Sequence, residues 1–201
     1  HASLSPDQAI KCPNVDAICV SEGDSAVVEL ARQLKEGKRP TGISNLWIRH
    51  PETGGIEKNP TAPFNEELDT IPYVDRTLWE PWIVNPHEEA SVLVGRGCPY
   101  KCTYCSNHAM EELAEGSYVR YRSSEDMIAE IDSICDQYPR MKNIYLEIET
   151  VGADVHKGID LFEKLAEYNN AREERLSFRI NLALHSNFVR SEEKFKKFLE
   201  L

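Results

Sequence analysis

The sequence has no apolar stretch approaching the roughly 18 residues needed to span a bilayer, and nothing in it resembles a signal peptide. It also lacks any long basic run. With a net charge of −11 over 201 residues, a nucleic-acid surface is disfavoured beyond a local patch such as Arg120 and Arg122. Internal repeats and low-complexity tracts are missing too, and a 41 % hydrophobic content excludes global disorder. The start methionine is absent, which suggests an excised segment. Cysteines, in contrast, are present and unevenly spread. Three of the six crowd into eight positions, while Cys12, Cys19 and Cys135 are scattered. In a chain that is not a short secreted scaffold, this distribution reads as a reducing, cytoplasmic setting and a metal site rather than a disulfide framework.

Hydrophobic periodicity predicts an alternating α/β chain. A short strand over Val15–Val20 leads through Ser21-Glu22-Gly23-Asp24 into a helix with Ala26, Val27, Leu30 and Leu34, which Gly37 is placed to end. From Thr41 to Glu89 the pattern loosens and prolines punctuate it. Thr53-Gly54-Gly55 predicts a hairpin turn between Asn45–Arg49 and Ile56–Asn59. Ile71, Tyr73, Leu78, Trp79 and Trp82 are expected to pack this stretch onto a neighbouring surface. Regularity then returns: strand Ser91–Gly95, a helix capped at Ser123-Ser124-Glu125-Asp126, strand Asn143–Glu149, helix His156–Tyr168, strand Leu176–His185 and helix Ser191–Leu201. This order implies a parallel sheet.

A buried parallel strand is usually apolar on both faces. Here Ile144, Leu146 and Ile148 alternate with Tyr145, Glu147 and Glu149, and Phe178, Ile180, Leu182 and Leu184 with Arg179, Asn181, Ala183 and His185. The apolar faces suit a layer of helices. The polar faces then share a cavity, which must be wet or hold a polar ligand, because a carboxylate buried alone costs several kcal/mol.

Directly after the apolar run Val92-Leu93-Val94-Gly95 comes Cys98-Pro99-Tyr100-Lys101-Cys102-Thr103-Tyr104-Cys105, a C-x3-C-x2-C spacing. A disulfide would leave one cysteine odd and strain so short a loop. Zinc on Cys98, Cys102, Cys105 and His108 is an alternative, a non-catalytic module with a filled coordination shell. Against it, the loop follows a buried strand at the end where α/β folds place active sites. Three thiolates on a four-iron cluster leave one iron open to bind something else.

The stretch from Val92 to Cys105 resembles the cluster loop of the radical S-adenosylmethionine superfamily, whose signature is C-x3-C-x-aromatic-C, with Tyr104 in the aromatic slot. The resemblance implies a [4Fe–4S] cluster on Cys98, Cys102 and Cys105, and S-adenosylmethionine chelated by its open iron. It also implies an electron donor such as flavodoxin or ferredoxin, and reductive cleavage to a 5′-deoxyadenosyl radical that takes hydrogen from a substrate. The family holds the cofactor's amino group with acidic residues at the end of its second strand. Glu147 and Glu149 stand in that region, but the usual Gly-Gly-Glu form is absent and the choice between them stays open. Asn181 and His185 are further candidates for cofactor or substrate contact.

The upstream segment, and Tyr118-Val119-Arg120-Tyr121-Arg122-Ser123, are similar to the branch in which a cobalamin-binding domain precedes the radical domain. That likeness adds cobalamin to the implied cofactors. It divides the chain into the end of a Rossmann-like cobalamin-binding domain at 1–40, a connector at 41–89, and the N-terminal half of a partial (β/α) barrel at 90–201, with about three of its β/α units. Neither catalytic residues nor the substrate can be assigned from this piece. We expect an internal segment of a longer enzyme, inactive in turnover by itself.

Overall fold

A computed structural model of the chain describes residues 2–151, 154–181 and 196. The chain groups into two compact units, His1–Glu66 with Tyr100–Tyr118, and Glu67–Pro99 with Val119–Leu201.

The first unit carries α1 (Pro6–Ala9), β1 (Ala17–Cys19), α2 (Asp24–Lys35), β2 (Leu46–Arg49), β3 (Ile56–Lys58) and α3 (Asn107–Glu111). The strands form an antiparallel sheet in the order β1-β2-β3, with the predicted Thr53-Gly54-Gly55 turn joining its last two strands. Alternation puts Leu46 and Ile48 on one face, where they pack with Ala26, Ile43 and Leu30. Ile18, Trp47 and Ile56 occupy the other face, with Ile10, Val20 and Leu113. Helix α2 ends as its glycine predicts. Gly37 takes φ +69°, its N–H bonds Leu34 O at 3.0 Å, and Lys38 N–H bonds Gln33 O at 2.9 Å. Of the apolar positions that mark α2, Val27 and Leu34 are 58 % and 57 % exposed.

The second unit begins with three short 3-10 turns, Leu68–Thr70, Arg76–Leu78 and Glu80–Trp82. They lead into β4 (Glu89–Leu93) and β5 (Gly95–Arg96). After the excursion through the cysteines come β6 (Arg120–Tyr121), α4 (Ser124–Gln137), β7 (Asn143–Glu147), α5 (Val155–Asn170) and β8 (Ser177–Ile180). Strands β4, β7 and β8 form a parallel sheet in that order. Each long helix starts on a side-chain cap. Ser123 Oγ accepts from Asp126 N–H at 3.2 Å, and Asp154 Oδ1 accepts from His156 and Lys157 N–H at 3.0 and 3.2 Å. Ile144, Leu146 and Ile148 face Met127, Ile131, Ile134, Leu161 and Leu165 in the main core.

Two expectations change. Strand Ser91–Gly95 is not continuous: β4 ends at Leu93, and Gly95–Arg96 pairs antiparallel with β6. Leu78, Trp79 and Trp82 do not pack onto a neighbouring surface; they are exposed, while Tyr73 does pack, its O–H donating to Asp126 Oδ1 at 2.8 Å and its ring lying against the Arg122 guanidinium, and Leu68 is 1 % exposed. Residues 182–185 and the helix expected over 191–201, apart from position 196, lie outside the described residues.

Candidate functional site

Cys102 and Cys105 sit on one tight turn of the first unit, closed by Cys105 N–H to Cys102 O at 3.0 Å. Asn107, which opens α3, donates its amide to Cys105 Sγ at 3.6 Å. Tyr118 O–H donates to Asn107 Oδ1 at 2.6 Å, and its ring packs on Phe64 at 5.3 Å between centroids. The backbone after α3 is pinned as well. Phe64 N–H bonds Glu115 O at 2.8 Å, Thr61 Oγ1 donates to Leu113 O at 2.7 Å, and Ser117 N–H donates to Glu66 Oε1 at 2.8 Å. Tyr104 is 91 % exposed, and its hydrogen bond to Cys102 raises its phenol above the ordinary value.

Cys98 belongs to the second unit. The chain leading to it is held at a neck. Gly95 pairs with Tyr121 and Arg96 with Arg120, Arg122 N–H bonds Val94 O, and Val94 N–H bonds Glu147 O, both at 2.9 Å. The neck needs glycine at 95, because a Cβ there would meet Arg120 O at 2.4 Å. None of the six cysteines is in a disulfide, and Cys98, Cys102 and Cys105 are all half-exposed. Three accessible reduced thiols within eight positions suit a group that binds through thiolates, so this donor set fits an iron–sulfur cluster. Among the described residues no group of three or more His, Cys, Asp or Glu is drawn together as a metal site.

At the C-terminal ends of β4, β7 and β8 lies a cleft of about 340 Å³ lined by Leu93, Gly95, Arg96, Glu147, Ile148, Glu149 and Asn181. It brings together three of the residues singled out from sequence: Glu147, Glu149 and Asn181. Arg96 joins them. Sequence reading passed over Arg96 because only the β5–β6 pairing turns it toward this end of the sheet; its place two residues before Cys98 was the available signal. His185 lies outside the described residues. Two carboxylates and a guanidinium on one cleft can hold a ligand that carries both an ammonium and a carboxylate.

A second cavity, of about 460 Å³, lies on the same polar face nearer the start of the strands. Tyr145, Arg179, Asn143 and Ser91 line it with Arg76, Glu80, Ile83, Val84 and Tyr138. The outer edge of β4 is closed by arginines rather than by a strand. Arg76 Nη2 donates to Ser91 O at 2.6 Å, and Arg122 Nη1 to Leu93 O at 2.9 Å. Glu130 joins them, accepting from Arg122 at 2.5 Å and from Arg76 at 3.1 Å, and Asp126 accepts from Arg122 at 2.5 Å. Burial works against the Arg122 charge, but the hydrogen bonds it donates to Glu130 and Asp126 outweigh that and hold the guanidinium above its ordinary value. Arg120 and Arg122 are therefore no surface patch: they are 5 % and 8 % exposed.

No family model matches the chain. It is 27 % identical over 164 residues to an uncharacterized methyltransferase of Pyrococcus horikoshii, covering 80 % of this chain and 34 % of that protein. Its fold is similar to that of the cobalamin-dependent S-adenosylmethionine radical enzyme OxsB with aqua-cobalamin bound. There the TM-score is 0.67 at 19 % identity, over 99 % of this chain and 27 % of that one. It is also similar to the radical S-adenosylmethionine methyltransferase TsrM of Kitasatospora setae with cobalamin and a [4Fe–4S] cluster bound. That match has a TM-score of 0.59 at 16 % identity, over 88 % of this chain and 35 % of that one. The resemblance read from the cysteine loop thus extends to a mixed α/β fold shared with cobalamin-dependent radical enzymes. The chain spans about a third or less of the length of the curated relatives it matches.

Proposed function

We propose that this chain is a segment of a cobalamin-associated radical S-adenosylmethionine enzyme, carrying its [4Fe–4S] site and part of its S-adenosylmethionine site. The observation that carries this reading is the cleft at the C-terminal ends of the parallel strands, where Glu147, Glu149, Asn181 and Arg96 meet at the very end from which the chain runs into Cys98. In this reading residues 90–201 are the first half of a partial barrel, 41–89 the connector and 1–40 the end of a Rossmann-like cobalamin-binding domain.

Cys98, Cys102 and Cys105 hold the cluster as thiolates, with no fourth protein ligand. When bound, the cluster supplies one electron, received from a donor such as flavodoxin or ferredoxin, for reductive cleavage of the sulfonium to methionine and a 5′-deoxyadenosyl radical. Glu147 or Glu149 accepts from the cofactor's ammonium, and Arg96 donates to its carboxylate. Asn181 offers a neutral amide to the rest of the cofactor, with Tyr104 and His185 as further contacts. Methyl transfer, the reaction named for the Pyrococcus horikoshii relative and for TsrM, is the reaction class we propose for the whole protein. The undisulfided cysteines support a reducing, cytoplasmic setting.

Anaerobic reconstitution tests this. About four irons per chain are expected, lost on changing Cys98, Cys102 or Cys105 to Ala and kept in His108→Ala. One tightly held zinc that His108→Ala releases would establish the zinc module instead. Equilibrium binding of S-adenosylmethionine to the reconstituted chain then separates the two carboxylates. Whichever of Glu147→Gln and Glu149→Gln weakens binding tenfold or more is the ammonium partner. No effect from either removes both from the site.

A further inference from the structure

We infer that Asn107, oriented by Tyr118, is a positioning residue that tunes the cluster through Cys105, an inference that rests on the cluster reading above. The Asn107 amide stands 3.6 Å from Cys105 Sγ. A thiolate can only accept, so the nitrogen end of the amide must face the sulfur. The oxygen end is then free to accept, and Tyr118 O–H supplies that bond at 2.6 Å.

Tyr118 is itself held in place. Its ring lies against Phe64, which is buried to 6 %, and the backbone beside it is fixed by Phe64 N–H to Glu115 O and Ser117 N–H to Glu66 Oε1, both at 2.8 Å. The arrangement is a relay from a packed aromatic pair, through an amide, to one ligand sulfur. Hydrogen bonds to ligand sulfurs are among the levers that set cluster potentials. The sign follows from charge: a donor at the sulfur stabilises added negative charge, favours the reduced cluster, and raises its potential.

The test is the midpoint potential of the reconstituted chain, followed by the spectroscopic signal of the reduced cluster, with iron content measured alongside. Asn107→Leu, which keeps the bulk and removes the donor, is expected to keep iron and shift the one-electron equilibrium about tenfold toward the oxidised form, or about 59 mV lower. Tyr118→Phe, which only frees the amide to turn, is expected to move it in the same direction by less. Asn107→Gln, which restores a donor, recovers part of the shift. Full iron with an unchanged potential in both Asn107→Leu and Tyr118→Phe overturns the inference and leaves the cluster reading standing. If Asn107→Leu fails to take up iron, Tyr118→Phe decides: a lowered potential supports the relay and an unchanged one overturns it. Failure of the unaltered chain to take up iron overturns the cluster reading, and the relay with it.

Discussion

The two three-stranded sheets among the described residues reverse the usual habit of their types. Antiparallel sheets commonly leave one face to water, and parallel sheets are commonly covered on both. Here the antiparallel sheet is covered on both faces, by Ala26 and Leu30 of α2 on one side and by Ile10, Val20 and Leu113 on the other. The parallel sheet buries Ile144, Leu146 and Ile148 under α4 and α5, while Tyr145, Glu147 and Glu149 line cavities on its other face. A parallel sheet with a polar, accessible face is spending that face on something other than stability. The difference is one of face chemistry: the second unit's sheet keeps a polar face open to cavities, and the first unit's sheet does not.

The sharpest way to break this comparison is to remove charge from the edge of the parallel sheet. Glu130→Ala leaves Arg122 and Arg76 in their buried setting without their shared carboxylate, and should lower unfolding stability in urea by about 3–5 kcal/mol. In the first unit, Glu29→Ala removes a surface partner of Arg32 on α2 and should leave stability close to that of the unaltered chain, because solvent screens so exposed a pair. Equal effects from the two would show that the edge of β4 does not depend on its arginines.

A paired substitution on β7 reads the two faces directly. Leu146→Ala is expected to cost about 2–5 kcal/mol, and its neighbour Glu147→Ala to stay within about 0.5 kcal/mol. A large stability loss at Glu147 would make it a structural residue and count against the cleft as a site.

Gly95→Ala is next in size. The added methyl group meets a backbone oxygen rather than a side chain able to swing away, so a cost of about 1–3 kcal/mol is expected. Iron uptake should fall with it, because the neck sets the direction in which the chain leaves for Cys98.

The smallest expected effect is one of pH. Burial, and then the hydrogen bond to Glu80, push the Tyr138 phenol up to about 12. A raised acid pKa means that the folded protein favours the neutral phenol. That contribution is intact below about pH 10 and is lost as pH climbs toward 12. Tyr138→Phe should flatten the alkaline limb of the stability profile relative to its own neutral plateau; an unchanged limb would remove Tyr138 as its source.

Much of this was legible before any coordinates. Ser123 capped its helix because a hydroxyl there satisfies a first-turn N–H, and Gly37 ended α2 because only a residue at ease with positive φ closes the helix that way. The alternation of Ile144, Leu146 and Ile148 with Tyr145, Glu147 and Glu149 divided a core face from a cleft face through pleat geometry alone. What could not be read is mostly pairing between distant positions. Nothing local in Gly95-Arg96 announces that Arg120-Tyr121, more than twenty residues on, returns to pair with it, so the strand was expected to run straight through. Hydrophobicity predicts that Tyr73, Leu78, Trp79 and Trp82 pack onto a neighbouring surface, yet only Tyr73 of the four finds one, on Asp126 and Arg122, because burial depends on a neighbour that composition does not supply. Arg96 went unrecognised because its value lies in what stands across the cleft. Asn107 and Tyr118 went unrecognised because eleven residues of chain separate them from one another.

The sequence by itself determined the C-x3-C-x2-C spacing of Cys98, Cys102 and Cys105, together with the helix starts, the hairpin and the faces of the parallel strands. These depend on spacing and on interactions within a turn or a pleat. Only the tertiary structure decided that the cysteine stretch is zipped at its neck by Gly95 and Arg120, that Arg76 and Arg122 seal the edge of β4, that Arg96 shares a cleft with Glu147 and Glu149, and that Asn107 reaches Cys105. Each of those joins groups far apart along the chain, and such contacts exist only once the closure entropy of the intervening chain has been offset by packing.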